Sequence, residues 1–328
     1  MNNKNTVFVI IFLLLVGIWG YAIGKYFSTP AENKAAELSC PNTLTDIIQS
    51  AKGDVYKIDD QDYVQPQSNI LLTYSVHGDL ITNPVFNLIP GTLKDEQQDS
   101  ATQKQVWKIF TTLIPAKDRQ MVTEYMIFTD GNEETLAAVE QVPADLTHWI
   151  VEIDVADLAN KDELLFTLVH EYAHLLTLND SQVAIDQELY DDPNNLSLLK
   201  RKAVDCPNYF EGGGCSLPHS YINTFYQRFW IGVDAEWEKI NILQYADNSK
   251  LYYAGLYNFY LAHRDQFVDD YATTHPAEDI AESFAYFVFS PKPETTSVRG
   301  QKILFFYDYP ELVKLRQTIL QGTCSIAQ

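Results

Sequence analysis

Positive charge is scarce in this chain. Lys and Arg total 23 among 328 residues, against 44 Asp and Glu, for a formal net charge of −21. A nucleic-acid-binding surface needs clustered cations to displace the counterions of the phosphate backbone, so nucleic acid is excluded as a partner class. The excess acid serves solubility and, as a secondary reading, favours basic substrates. Gly and Pro number only 14 each, too few for a fibrous or low-complexity protein. No fixed-period repeat runs through the chain, which excludes a solenoid. Gly212–Gly214 lacks both a following Lys and a following helical pattern, so it is no phosphate cradle. Hydrophobic residues make up 46%, with 20 Tyr and 17 Phe, enough to bury a substantial core.

Cysteine is also rare, at four. Cys206 and Cys215 bracket a short loop with three glycines, while Cys40 and Cys324 lie one toward each end. An even count in an exported chain reads as disulfides, and sequence alone leaves three pairings open. Export is expected from an uncharged apolar run, Val7 to Gly24, flanked by Lys4 and Lys25. It is long enough to span a bilayer. The chain therefore reads as a cytoplasmic tail (1–6), a transmembrane anchor or signal segment (7–24), a tether (25–60) and one domain (61–328). That places the domain outside the cytoplasm, either anchored to the membrane or secreted after cleavage near Pro30-Ala31 or Ala35-Ala36.

Within the domain, residues 61–160 read as sheet-rich and 161–328 as mainly helical. A weak helix is expected over Leu44–Ala51, a strand over 69–78 and a helix over 101–114. Strands follow at Met121–Thr129, Thr135–Val142 and His148–Val155, forming a small, mostly antiparallel sheet. A helix opens at Asn160, with Glu163 completing a capping-box-like start, and ends at Asn179-Asp180. Its body is apolar on most faces, so it should be buried. Residues 180–218 read as an irregular insertion. Helices then follow over 220–240, 249–268, Pro276–Phe289 and Pro310–Gln321. The fold class is α+β.

The chemistry lies in the buried helix, as His170-Glu171-Tyr172-Ala173-His174. In a chain with 7 His, such an HExxH pattern arises by chance with a probability on the order of 1%. Histidines four apart share one helical face and can hold one metal ion. Glu171 beside them can hold a water and act as general base, then acid. Two histidines and a glutamate on an apolar helix are costly without such a partner. A third ligand is expected in the segment Tyr271–Phe284. There Pro276 suits the first turn of a helix, and Glu278 and Glu282 fall on one face beside small Ala281 and Ala285. Glu278 is the candidate ligand. Glu282 is placed to orient a ligating histidine through its free N–H.

His275 could line the same cleft. His77, His148, His219 and His263 have no partner spacing. The acidic run at Asp59–Asp62 and Asp279 read as solvated, and Asp205 as a turn cap. The aromatic stripes Tyr221–Trp230 and Tyr252–Tyr260 read as core.

HEYAH with a downstream YxxTxxxExxAExF resembles the gluzincin metallopeptidases. The layout is similar to that of the catalytic domain of anthrax lethal factor and related bacterial zinc peptidases. The resemblance implies a zincin-like fold and one catalytic Zn2+ on His170, His174 and Glu278. It also implies that Glu282 supports from behind and that Tyr271 stabilises the transition-state oxyanion. The third histidine of metzincins and the Asn before the ligating Glu in thermolysin-like enzymes are both absent. The expected activity is hydrolysis of peptide bonds in a peptide or protein substrate that pairs with a strand within 135–155. The alternatives are a zinc-stabilised surface binding protein without turnover, and a protease kept inert by its N-terminal segment; Cys40 could in principle cap the metal there, but the even cysteine count argues for a disulfide instead.

Overall fold

The sheet is built from segments in which apolar residues alternate with polar ones or run together. In the computed structural model, which describes residues 40–50, 68–131, 135–156, 158–245, 249–294 and 297–327, it has five strands. These are β1 (Asn69–His77), β2 (Leu80–Phe86), β3 (Val122–Thr129), β4 (Ala137–Val142) and β5 (Asp145–Asp154). Their order is β2-β1-β3-β5-β4. The expected tail 1–6, apolar segment 7–24, Asp59–Asp62 run and most of the tether lie outside the described residues. Among the described residues, no helix is long and apolar enough to cross a membrane.

Three strand pairs are antiparallel, but β3 and β5 run parallel. The strand over 135–142 does not sit between its sequence neighbours. It lies outside β5, at the sheet's edge. Burial explains the exchange. β5 carries Trp149, Ile150, Val151 and Ile153, all buried, and belongs inside, whereas β4 presents Glu140 and Gln141 and tolerates an edge. Strand β2 was not legible in the sequence. It is largely exposed and contains Pro84, which an edge strand accommodates. A two-residue turn joins it to β1, with Gly78 at φ +60°.

Helices fill the rest. They are α1 (Pro41–Ser50), α2 (Lys94–Gln98), α3 (Ser100–Leu113), α4 (Lys161–Leu178), α5 (Gln187–Asp191), α6 (Leu196–Asp205), α7 (Tyr221–Phe229) and α8 (Asp234–Asn241). After them come α9 (Ser249–Ala262), α10 (Pro276–Phe289), α11 (Val298–Phe305) and α12 (Pro310–Ala327). The stretch expected to be irregular, 180–218, holds two of them. The helix expected over 220–240 is two, broken at Trp230–Val233, where Gly232 interrupts the helical run.

The Asn160 side chain accepts hydrogen bonds from the Asp162 and Glu163 N–H groups and so starts α4. Helix α4 is buried on nearly every face because α1, β4 and α10 all pack against it. Helix α10 is more deeply enclosed still, with thirteen of its residues buried, which is why its carboxylates cannot form a solvated face. Helix α12 crosses α3 at Gly322, where a Cβ would stand 2.4 Å from the Thr112 carbonyl oxygen. The disulfides are Cys40–Cys324 and Cys206–Cys215. The first fastens the start of α1 to α12, so Cys40 is committed there and does not cap a metal.

Candidate metal centre

Two helices build the site. One turn of α4 separates His170 from His174, so both imidazoles leave the same face. Glu278 enters from the first turn of α10. His170 Nε2 lies 3.0 Å from Glu278 Oε2, His174 Nε2 lies 3.3 Å from the same oxygen, and the two Nε2 atoms are 3.1 Å apart. Histidines 170 and 174 are 5% and 8% exposed, so water does little to relieve this crowding.

The triangle has a chemical meaning. His170 Nδ1 is 2.7 Å from Glu282 Oε1, so a carboxylate stands directly behind the ring. A neutral imidazole with its proton on Nδ1 presents a lone pair at Nε2, as a carboxylate oxygen does. Three such atoms about 3 Å apart could share a cation at their centre. A tetrahedral ion with bonds of about 2.0–2.1 Å sets its ligands about 3.3–3.4 Å apart. The observed spacings of 3.0–3.3 Å come within a few tenths of an ångström of that requirement. This buried group of His170, His174 and Glu278 could hold a metal ion.

Without a metal the group is held by protons. Burial opposes charge on His170, yet the Glu282 and Glu278 carboxylates raise it well above the ordinary imidazole range. His174 is raised in the same way, burial being outweighed by Glu278. For Glu278 burial works upward, but the two histidines hold it well below the usual carboxylate range. A metal ion must displace these protons.

Glu171 is 9% exposed, and burial pushes its carboxyl above the ordinary range while the two histidines pull it down. Tyr271 stands on a single 3-10 turn, Tyr271–Thr273, at the margin of the site and is 38% exposed. Its ring centroid is 5.8 Å from that of His170. The Glu278 carboxylate, aided by burial, raises the phenol well above its usual range, so Tyr271 keeps its proton and remains a donor.

His275 serves α10 itself. Its Nδ1 accepts from the Ala277 N–H at 3.2 Å, and its ring packs edge-on against Trp237 at 5.6 Å. Burial lowers its pKa, so the ring stays neutral. His148 and His263 each pair with a partly exposed acid, Asp145 and Glu236. Asp279, expected to be solvated, is fully buried. It accepts from Trp230 Nε1 at 2.7 Å and pairs with buried Lys302 at 2.6 Å. The hydrogen bond ties the helix that carries Glu278 to the end of α7, and the ion pair ties it to α11.

Three residues near the site gave no sequence signal. Asp269 and Lys302 sit at no motif spacing. Glu152 on β5 is pushed up to about 8, by burial first, then by Glu140 on the neighbouring strand, with a contribution from Glu171. Its diagonal relation to Glu140 follows from the β4/β5 register, which exists only once the sheet is formed. No protein-family model, curated protein or solved structure matches this chain.

Proposed function

We propose that this chain is a zinc-dependent endopeptidase with a zincin-like fold. One observation carries the reading: three potential ligand atoms of types suited to zinc converge to within 3.0–3.3 Å of one another in an HExxH…E constellation. Two imidazoles and one carboxylate make a three-ligand set that leaves a fourth position open, as catalytic zinc sites do. Bound there, zinc would supply Lewis acidity to a scissile carbonyl and acidify a water.

The chain's own groups divide the remaining work. Glu171 takes the proton from the attacking water and later delivers it to the leaving amine, a task suited to a carboxyl raised by burial. Tyr271 donates its hydroxyl hydrogen to the oxyanion as charge develops. Glu282 holds the His170 ring through Nδ1. The free edge of β4, which packs on α4, offers backbone groups to an extended peptide by strand addition. Two disulfides and the apolar run at 7–24 support a domain working outside the cytoplasm, tethered to the membrane or secreted. The presence of both Glu171 and Tyr271 beside the ligand triangle favours turnover over a metal-stabilised binding protein.

The test is Glu171→Gln. The variant is expected to keep one zinc per chain while its hydrolysis of a peptide library falls by about 100-fold or more. Hydrolysis at the wild-type rate with zinc in place would refute the mechanism.

A further inference from the structure

Next to the candidate ligand Glu278 on α10 stands a second acid with different partners. Asp279 is fully buried. Its Oδ2 accepts from Trp230 Nε1 at 2.7 Å and meets Lys302 Nζ at 2.6 Å, and its Oδ1 takes a long bond from Ser283 Oγ at 3.5 Å. Trp230 caps the end of α7, and Lys302 lies on α11. Both are buried, Lys302 with only 1% of its surface exposed. Rings box the ammonium, with the Phe267 centroid 3.8 Å away and those of Trp230 and Phe225 at 5.7 and 5.9 Å.

The same stretch of chain is gripped again upstream. Trp237 on α8 donates from Nε1 to the Thr273 carbonyl at 3.0 Å, and its ring packs on His275. Trp230 and Trp237 meet edge to face at 5.6 Å across the break between α7 and α8. One tryptophan corner therefore holds residues 273–279 at both ends. A buried ion pair is weak evidence for stability, because apolar residues of similar volume often serve as well. Its directional bonds do fix the backbone at Asp279, and Glu278 is the residue beside it. Metal ligands need placement to within about 0.5 Å, and Glu278 Oε2 stands 3.0 and 3.3 Å from the two histidine nitrogens.

We propose that Lys302 and Trp230 are positioning residues which, by holding Asp279, fix the first turn of α10 where Glu278 can share a metal ion with His170 and His174. The inference rests on the zinc reading above and deepens it. It gives the aromatic corner between α7 and α8 a task beyond filling the core, which is to aim the third ligand.

The experiment compares the full chain with Lys302→Met, Trp230→Phe and the double variant Lys302→Met/Asp279→Leu. The first readout is zinc affinity, measured by competition with a chromophoric chelator. The second is amide hydrogen exchange along α10 in the zinc-free protein. Lys302→Met leaves the site more negative, which by charge alone would strengthen zinc binding. Misplacement of Glu278 should instead weaken it by about 10–100-fold, so the direction of the change separates the two effects. The double variant restores the net charge and should fold about as stably as wild type. It should still bind zinc about tenfold or more weakly. In both variants the amides of 277–280 should exchange about tenfold or more faster, while those of 286–289 stay protected. A merely structural pair would change stability, and exchange throughout α10, without moving zinc affinity. Should Lys302→Met fail to fold, the double variant decides together with Trp230→Phe, which removes one donor and should weaken zinc by about threefold or more. Zinc affinity within about threefold of wild type in the double variant, or faster exchange spread evenly along α10, overturns the proposal. A folded wild type that takes up no zinc sinks the metal reading instead, while the exchange pattern still tests whether Lys302 and Trp230 fix this turn.

Discussion

Removing Glu278 tests the centre of the argument. Its Oε2 lies 3.0 and 3.3 Å from the two histidine nitrogens and supplies the third corner of the triangle. Partners that only orient a ligand are typically worth about 10–100-fold in metal affinity, so a direct ligand should be worth more than about 100-fold. At a free zinc level one hundred times the wild-type Kd, bound metal stabilises the fold by about 2.7 kcal/mol. Weakened a hundredfold, the same zinc contributes no more than about 0.4 kcal/mol. With about 2–4 °C of Tm per kcal/mol for a domain of this size, zinc should raise the wild-type Tm by about 5–10 °C and that of Glu278→Ala by about 1 °C. One effect works the other way. Burial disfavours charge on His170 and His174, but Glu278 helps keep both protonated, so its loss also weakens the competing protons. The competition should fade with rising pH, and the difference between variants should therefore widen toward pH 8. The assay is calorimetry in metal-buffered solution, with and without zinc, beside elemental analysis. Equal zinc-induced shifts in wild type and variant, or no shift in either, would refute the assignment.

Two further predictions concern stability. The Cys40–Cys324 bond spans 284 residues, whereas Cys206–Cys215 spans 9, so the first constrains the unfolded chain far more. Replacing Cys40 and Cys324 with Ser should cost about 5–6 kcal/mol in the chain-entropy view, and denaturant unfolding that shows no loss would contradict it. Glu152 is raised from 4.5 to about 8, by burial first and then by Glu140. Between those values the folded state binds one proton more than the unfolded state, so its contribution to stability falls as pH rises, by up to about 1.4 kcal/mol per unit. Glu152→Gln should flatten the decline in stability between pH 5 and pH 8, and an unchanged slope would show that Glu152 is ionised in the fold.

What could be read from the sequence followed the range of the interactions involved. His170, Glu171 and His174 lie within one helical turn and a half, so spacing alone puts them together. The Asn160 cap and the Pro276 start were legible for the same reason, each being settled by neighbours in the chain. Glu278 needed a second helix at the right distance, and the small Ala281 and Ala285 hinted at a close approach without proving it. The strand order escaped because nothing local says that β4 crosses outside β5. That choice is made by which strand must bury both faces. Asp279 was misread because helical periodicity reports one buried face, whereas α10 is enclosed by several elements, and its charge is met by Lys302 from a separate helix. The same limit hid Asp269. Beside Asp270 and Tyr271 it looks like one more acid in an acidic chain. Only the fold brings Glu282 near it. The candidate metal-site residues were thus visible from spacing, while those that hold them in place are defined by contacts between segments far apart in the chain.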